Sequence, residues 1–408
     1  MKSIYLDIPY LEKLREIKPI IEGWSDDEKY YLKTINNEEF LLRVSDISLY
    51  DKKKKEFENL KLLSKVKILM SRPVDFGICN KGQSVFIKLT WISGEKVEDI
   101  LSSLSITQQY NLGLKAGKNL KEIHRIPAPL NQSGWAERFN RKIDRNIANF
   151  HACNINFPNS DKVIDFINGN RHLLQNRPQT FQHGDYHIGN MIFSPEKELG
   201  IIDFNRFDYG DPWEEFNRIT WNVRKSPSFA NGYINGYFDN QVPDLFFRLM
   251  ALYIASNQLG SIPWAIPFGQ SEVDTMLEQA NNIMEWYDNF KDYIPSWHKD
   301  YFGLSKMKIL QLTLKKKWFD KILSGEKKEE YREIKPYWDK RLNKSYDAVL
   351  FKNGYKKNAP SFLIKLNGIR KGIGKAEYGA SNDEVYVLSL GNIFTSANIG
   401  KMTLTGSL

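Results

Sequence analysis

The sequence predicts an α+β protein of two or three domains, and three observations lead there. Short strand-like runs separated by turn residues fill 1–92, helix-period runs dominate 93–295, and strands return after a Pro, Ser and Gly linker at 295–305. The expected domains are therefore 1–92, 93–295 and 306–404. With 408 residues, a sizeable core is not in question.

In chain order, 17–21, 29–34 and 39–44 read as a strand meander broken at 23–27 and at Asn36-Asn37. A charged helix at 51–63 carries Phe57, Leu60 and Leu63 on one side. Strands 74–79 and 84–90 form a hairpin around Lys81-Gly82. Helices follow at 107–124, where Thr107 can cap, and at 136–150 and 160–174. Further helices are expected at 244–259 and 271–290. Beyond the linker, strands at 307–314, 347–351, 361–366 and 384–391 and a helix at 317–324 complete the pattern.

Only Cys79 and Cys153 occur, too few for a disulfide framework, which fits a reducing cytoplasm. Residues 1–18 are broken by charge every second or third position, and no uncharged run is long enough to span a bilayer, so a soluble cytoplasmic protein is expected. Charge is uneven. Residues 306–408 hold 21 Lys and Arg against 10 Asp and Glu, net +11, leaving a net −2 for the rest of a +9 chain. Such an excess favours a polyanionic partner for the tail.

The chemistry concentrates at His183, Gly184, Asp185, Tyr186, His187, Ile188, Gly189 and Asn190, ahead of two short strands joined by a turn at 194–198. Asp185 and Asn190 fall on the loop before the first strand and Asp203 at the end of the second. Phosphoryl transfer needs such a set: one carboxylate for the hydroxyl proton, an amide and a second carboxylate for magnesium. A metallohydrolase is the competing reading, since His183, Asp185, His187 and Asp203 are all plausible zinc ligands.

H-G-D-x-H-x-x-N at 183–190, followed by I-I-D-F at 201–204, resembles the catalytic and metal-binding segments of the aminoglycoside phosphotransferase and choline kinase-like family, relatives of the protein kinases. The resemblance implies a two-lobed protein-kinase-like fold using ATP or GTP and Mg2+, with Asp185 as catalytic base and Asn190 and Asp203 as metal ligands. His183, His187, Asp211 and Glu215 take supporting positions; Glu215 stands where the family's G-D-P-x-x-D segment ends in Asp. The meander would cover the nucleotide, with Arg43 on its phosphates, Glu56 pairing with Arg43, Ser25 as lid contact, and Trp91 and Ser93 at the adenine-binding hinge. The acceptor would be a small molecule with a hydroxyl, an aminoglycoside or a relative, with antibiotic resistance as one outcome. Aromatic and acidic residues after Asp203, among them Trp213, Glu214, Trp221, Tyr233, Tyr237 and Trp264, would line its pocket and suit a cationic sugar or amine.

In the tail, Gly325, Lys327, Glu330 and Arg332 are similar to the G-x-K-x-x-E-x-R signature of ASCH domains, small β-barrels related to PUA-type RNA-binding modules. That resemblance implies RNA or a nucleotide-like ligand as partner. Glu330 stands where the nucleoside-hydrolysing members carry Thr, which argues against hydrolysis. A different class of function, a nucleic-acid-binding protein with the kinase fold as scaffold, is disfavoured by the joint presence of Asp185, Asn190 and Asp203.

Overall fold

Alternating apolar residues in the first strands build a five-stranded antiparallel sheet. In the computed structural model, which describes residues 7–9, 13–21, 27–301, 308–355 and 359–397, β1 (Leu14–Ile20), β2 (Glu28–Thr34) and β3 (Glu39–Asp46) form the predicted meander. Helix α1 (Tyr50–Leu63) follows, then the two-residue β4 (Leu69–Met70), and β5 (Pro73–Cys79) and β6 (Ser84–Thr90) complete the sheet in the order β1-β2-β3-β6-β5. Tyr30 and Leu32 of β2, Leu42 and Val44 of β3, and Phe86 of β6 share one buried cluster. Phe57, Leu60 and Leu63 are buried along α1, so the predicted helix face is the packed one.

After β7 (Glu95–Lys96) and the single turn α2 (Val97–Ile100) come the long helices α3 (Ile106–Ile123), α4 (Trp135–Ala152) and α5 (Ser160–Asn170). Ser105, not Thr107, caps α3, in a reciprocal capping box with Gln108. β8 (Thr180–Gln182) leads to the loop containing Asp185, and β9 (Met191–Phe193) and β10 (Leu199–Ile201) form the hairpin behind it. β11 (Asp208–Gly210) pairs back onto β8. Helices α6 (Ile219–Lys225), α7 (Pro227–Phe238), α8 (Asp244–Ala265) and α9 (Gln270–Trp286) finish this unit, and α10 (Ser296–Tyr301) lies at its boundary, at residues 296 and 297.

Glycines let α3 and α7 pack backbone against backbone. A Cβ on Gly113 would stand 2.1 Å from Phe229 O and one on Gly117 2.2 Å from Tyr233 O. Gly232 and Gly236 on α7 meet Tyr110 O and Leu114 O just as closely. Side chains at these positions would force the helices apart.

The second unit is a mixed five-stranded sheet with helices. It comprises β12 (Ile309–Thr313), α11 (Lys316–Leu323), β13 (Glu329–Glu333), α12 (Pro336–Leu342), β14 (Ala348–Lys352), β15 (Ser361–Ile373) and β16 (Glu384–Ala397), in the sheet order β12-β14-β15-β16-β13. β12 runs parallel to β14, and the other pairings are antiparallel. Leu312, Phe319, Phe351, Phe362 and Leu388 belong to its core. β13 and α12 carry no apolar period that marks them in the sequence, because every residue of β13 but Tyr331 is charged and Asp339, Lys340 and Arg341 stand in a row in α12. Among the described residues, no helix is long and apolar enough to cross a membrane.

Candidate active site

The loop between β8 and β9 is fixed from behind. His183 is fully buried; its Nε2 faces Ile202 O at 2.9 Å and its Nδ1 accepts the Asp185 N–H at 3.2 Å. Those partners assign the proton to Nε2 and tie the loop to the segment just before Asp203. Glu215, 1% exposed, accepts the N–H of His183 at 2.6 Å and of Gly184 at 2.7 Å. The longer glutamate therefore reaches the loop backbone. His124 stands behind Glu215, with Nε2 at 3.4 Å from the carboxylate and Nδ1 at 2.9 Å from Tyr237 Oη. Burial pushes the Glu215 carboxyl up, but His124, His183 and the backbone N–H outweigh it and the net shift is downward.

Asp185 is flanked by Arg218 and His187. Arg218 Nε lies 3.2 Å and His187 Nε2 3.7 Å from its Oδ1. Burial raises its pKa, but the hydrogen bond from His187 and the charges of Arg218 and Arg206 outweigh this and hold the carboxyl well below the usual range. His187 Nδ1 accepts the Gly189 N–H at 3.1 Å, which leaves Nε2 as the protonated nitrogen facing Asp185. Asn190 Nδ2 donates to Asp185 O at 2.9 Å. Arg218 was not singled out in the sequence; the only signal is its place one turn beyond Glu215.

Asp203 adopts a left-handed conformation with φ 65°, a backbone state uncommon for a residue with a Cβ. The Ile202 N–H donates to Asn190 O at 3.1 Å, joining the Asp203 segment to Asn190. Asn190 has spent its amide nitrogen on Asp185, so its Oδ1 and the Asp203 carboxylate are the hard oxygen donors left, a set that suits magnesium completed by phosphates and water. Zinc is poorly served. Both nitrogens of His183 and Nδ1 of His187 are committed, and among the described residues no three His, Cys, Asp or Glu side chains group as a ligand set.

The expected pair of Arg43 and Glu56 is present, 2.6 Å from Nη1 to Oε1, with exposures of 4% and 2%. It belongs to a larger buried cluster that sequence reasoning missed. Asp27 accepts from Arg43 Nε at 2.8 Å, from Arg43 Nη2, from Lys53 Nζ at 2.6 Å and from Ser45 Oγ at 2.7 Å. Burial pushes the Asp27 carboxyl up, but Arg43 and Lys53 override it and keep it far below the usual range. Ser93 Oγ donates to Glu39 Oε2 at 2.5 Å, and this bond, with those from Tyr31 and Lys33, holds the Glu39 carboxyl down at about 2. The Trp91 N–H is committed to Glu39 O at 3.0 Å, so that donor continues the sheet. Ser25 lies outside the described residues.

Asp211 is completely buried and anchors the loop after β11. It accepts from Arg177 Nε at 2.6 Å and Tyr253 Oη at 2.6 Å. Of the aromatic residues expected to line an acceptor pocket, Tyr233 and Tyr237 are core and pack on Phe216, Trp213 is half-buried and packs edge-on against Phe238 and Phe246, Trp221 is half-buried, and Trp264 is exposed. The periodicity of Tyr233 and Tyr237 on α7 satisfies burial rather than recognition.

In the second unit, Gly325 has φ 79°, turning the chain after α11. Lys327 and Glu330 are both buried, joined by a 2.6 Å ion pair, and Arg332 reaches Glu330 from the other side. Lys327 Nζ lies 4.6 Å from the ring centre of Trp318 and 5.2 Å from that of Tyr331. Burial draws its pKa down against the pull of Glu330. These three side chains line a cavity of about 560 Å3 together with Trp318, Trp338 and Arg341.

Three solved structures share the fold of the first unit. The gentamicin complex of APH(2'')-IIa is 19% identical, with a TM-score of 0.50 over 65% of this chain and 91% of that one. The GDP complex of aminoglycoside 2'-phosphotransferase-IIIa is 16% identical, with 0.53 over 69% and 95%. A ternary complex of APH(4)-Ia with AMP-PNP and hygromycin B is 12% identical, with 0.52 over 69% and 98%. No curated protein matches. Residues 16–247 match the phosphotransferase enzyme family, and since that span is more than half of the chain, the protein belongs to this family.

Proposed function

We propose that the first unit is a small-molecule kinase that moves the γ-phosphoryl group of ATP or GTP to a hydroxyl of an aminoglycoside-like or related acceptor. The observation that carries this reading is Asp185, an ionised carboxylate on a loop locked by Glu215 and His183, with Asn190 hydrogen-bonded to it. The acceptor oxygen bonds to Pγ as the bond from Pγ to the bridging oxygen breaks; the diphosphate leaves with that electron pair, and the hydroxyl proton passes to Asp185. Asn190 and Asp203 would hold magnesium, which supplies neutralisation of phosphate charge. Arg43, aimed by Glu56, faces the phosphates, and the segment around Trp91 and Ser93 the base. The test is to incubate the chain with magnesium, ATP or GTP and a panel of hydroxyl compounds, and to look for a phosphate mass increment. Nucleotide left intact with every member would end the reading.

For the second unit we propose a PUA-like ASCH domain that binds RNA or a nucleotide-like ligand. The supporting feature is the buried Lys327 and Glu330 pair with Arg332, set among indole and phenol rings that suit base stacking. Affinity for short RNA should fall steeply between about 50 and about 200 mM salt. Arg332→Ala should weaken it more than Lys344→Ala at the surface, and equal losses would leave only a generic basic face.

A further inference from the structure

A cavity of about 290 Å3 opens on the far side of Gly184 and Arg218 from Asp185: both residues line it, and Arg218 Nε is 3.2 Å from the Asp185 carboxylate, which is not itself part of the lining. On the kinase reading an acceptor hydroxyl has to reach Asp185, and this cavity adjoins that residue through Gly184 and Arg218. Its charge is the opposite of what a cationic acceptor needs. Arg138, Lys142, Arg145, Arg206 and Arg218 line it, against Asp208 and Glu214.

The two acids are already neutralised from within. Arg138 Nη2 holds Asp208 at 2.7 Å, and Lys142 Nζ holds Glu214 Oε1 at 2.8 Å. The aromatic faces are occupied as well: Arg138 lies 5.7 Å from the ring centre of Trp135 and Lys142 5.2 Å from that of Phe139. A cationic sugar would find neither a free carboxylate nor a bare ring. What remains is Arg145 and Arg206, both exposed and without an ion-pair partner among the described residues, and the face of Arg218 turned away from Asp185. Three guanidinium groups around a concavity, with Asp185 the one carboxylate beside Arg218, repel a cation and bind carboxylate or phosphate oxygens bidentately.

We infer that the acceptor carries an oxyanion, a phosphate or a carboxylate, near its reactive hydroxyl, and that polycationic amino sugars are not substrates. This rests on the kinase reading above and takes the cationic aminoglycosides out of its range of acceptors, leaving the related hydroxyl compounds that carry an anion. Arg218 would act twice, holding Asp185 ionised through Nε and the acceptor's anion through its Nη groups. Arg206 and Arg145 would set the orientation that brings the hydroxyl to Asp185.

The experiment uses the full chain and four sugars of matched shape: glucose, glucosamine, glucuronate and glucose 6-phosphate. Each is titrated calorimetrically with magnesium and AMP-PNP present, and then supplied with ATP and examined for added phosphate. One of the anionic pair should bind at least about tenfold more tightly than glucosamine, the worth of one charge-assisted hydrogen bond. Arg206→Gln should weaken that binding, and Arg206→Glu should move the preference toward glucosamine, a gain that a misfolded variant does not show. Absence of any preference for the anionic pair, or a ranking unaltered in Arg206→Glu, overturns the inference. Failure to bind AMP-PNP would count against the kinase reading instead, while the sugar ranking still reports the cavity's charge.

Discussion

Glu215 reaches back 32 residues to accept the His183 N–H at 2.6 Å, and the neighbouring Gly184 N–H at 2.7 Å, so one buried carboxylate sets the backbone of the loop that carries Asp185. Glu215→Ala leaves two buried N–H groups unpaired, each worth about 1–3 kcal/mol. Urea unfolding should show a loss of about 3 kcal/mol with turnover reduced alongside. The folded pKa of Glu215 is lowered, so its charge contributes stability above the unfolded value, and that contribution is lost as pH falls through the folded one. The gap between wild type and variant should therefore narrow in acid, below about pH 4. A constant gap would mean that the carboxylate's charge has no part.

Asp185→Asn and Asp203→Asn should fail differently. The first should lower turnover by about 10²-fold or more while AMP-PNP still binds, because the lost group accepts the acceptor's proton. The second should weaken magnesium-dependent nucleotide binding as well. Calorimetry of AMP-PNP with and without magnesium separates the two, and small, equal effects would remove both assignments.

Arg43, Lys53, Asp27 and Glu56 form a buried cluster with two charges of each sign. Asp27→Asn leaves two cations facing one anion, and breaking a buried pair of this kind costs about 3–5 kcal/mol. The melting temperature of the free protein should fall. Magnesium and AMP-PNP should restore more of it than they add to wild type, since phosphate then supplies the missing negative charge. Equal ligand-induced shifts would show that Arg43 does not face the phosphates.

Two glycine substitutions should have opposite signs. Gly117→Ala sets a methyl 2.2 Å from the Tyr233 carbonyl oxygen and should cost about 3 kcal/mol or more. Gly169→Ala sits in α5 with nothing within 4 Å of the new methyl, and should stabilise by about 0.5–1 kcal/mol. Thermal denaturation of both variants checks the pair.

The sequence by itself determined the first sheet, most of the long helices and the chemistry-bearing loop, but not β8, β11, α6, α7, β13 or α12. Alternation in β2 and the Phe57, Leu60 and Leu63 stripe carry their own period, so burial could be read from spacing, whereas in β3 four successive residues, Leu42 to Ser45, are buried. The 183–190 run put Asp185, Asn190 and Asp203 around one hairpin because strands that short leave no other place for them. Long-range partners left no such trace. Ser105 takes the cap that Thr107 could have supplied, and β13 hides its pairing with β16 behind charged residues. Asp27 meets Lys53 across 26 residues, and His124 meets Glu215 across 91, contacts that no local period encodes. The charge of the cavity lined by Gly184 and Arg218 was likewise invisible. Acidic and aromatic residues crowd the sequence after Asp203, but packing sends Tyr233 and Tyr237 into the core and pairs Asp208 and Glu214 with Arg138 and Lys142. Which charges remain uncompensated depends on neighbours brought together only in three dimensions.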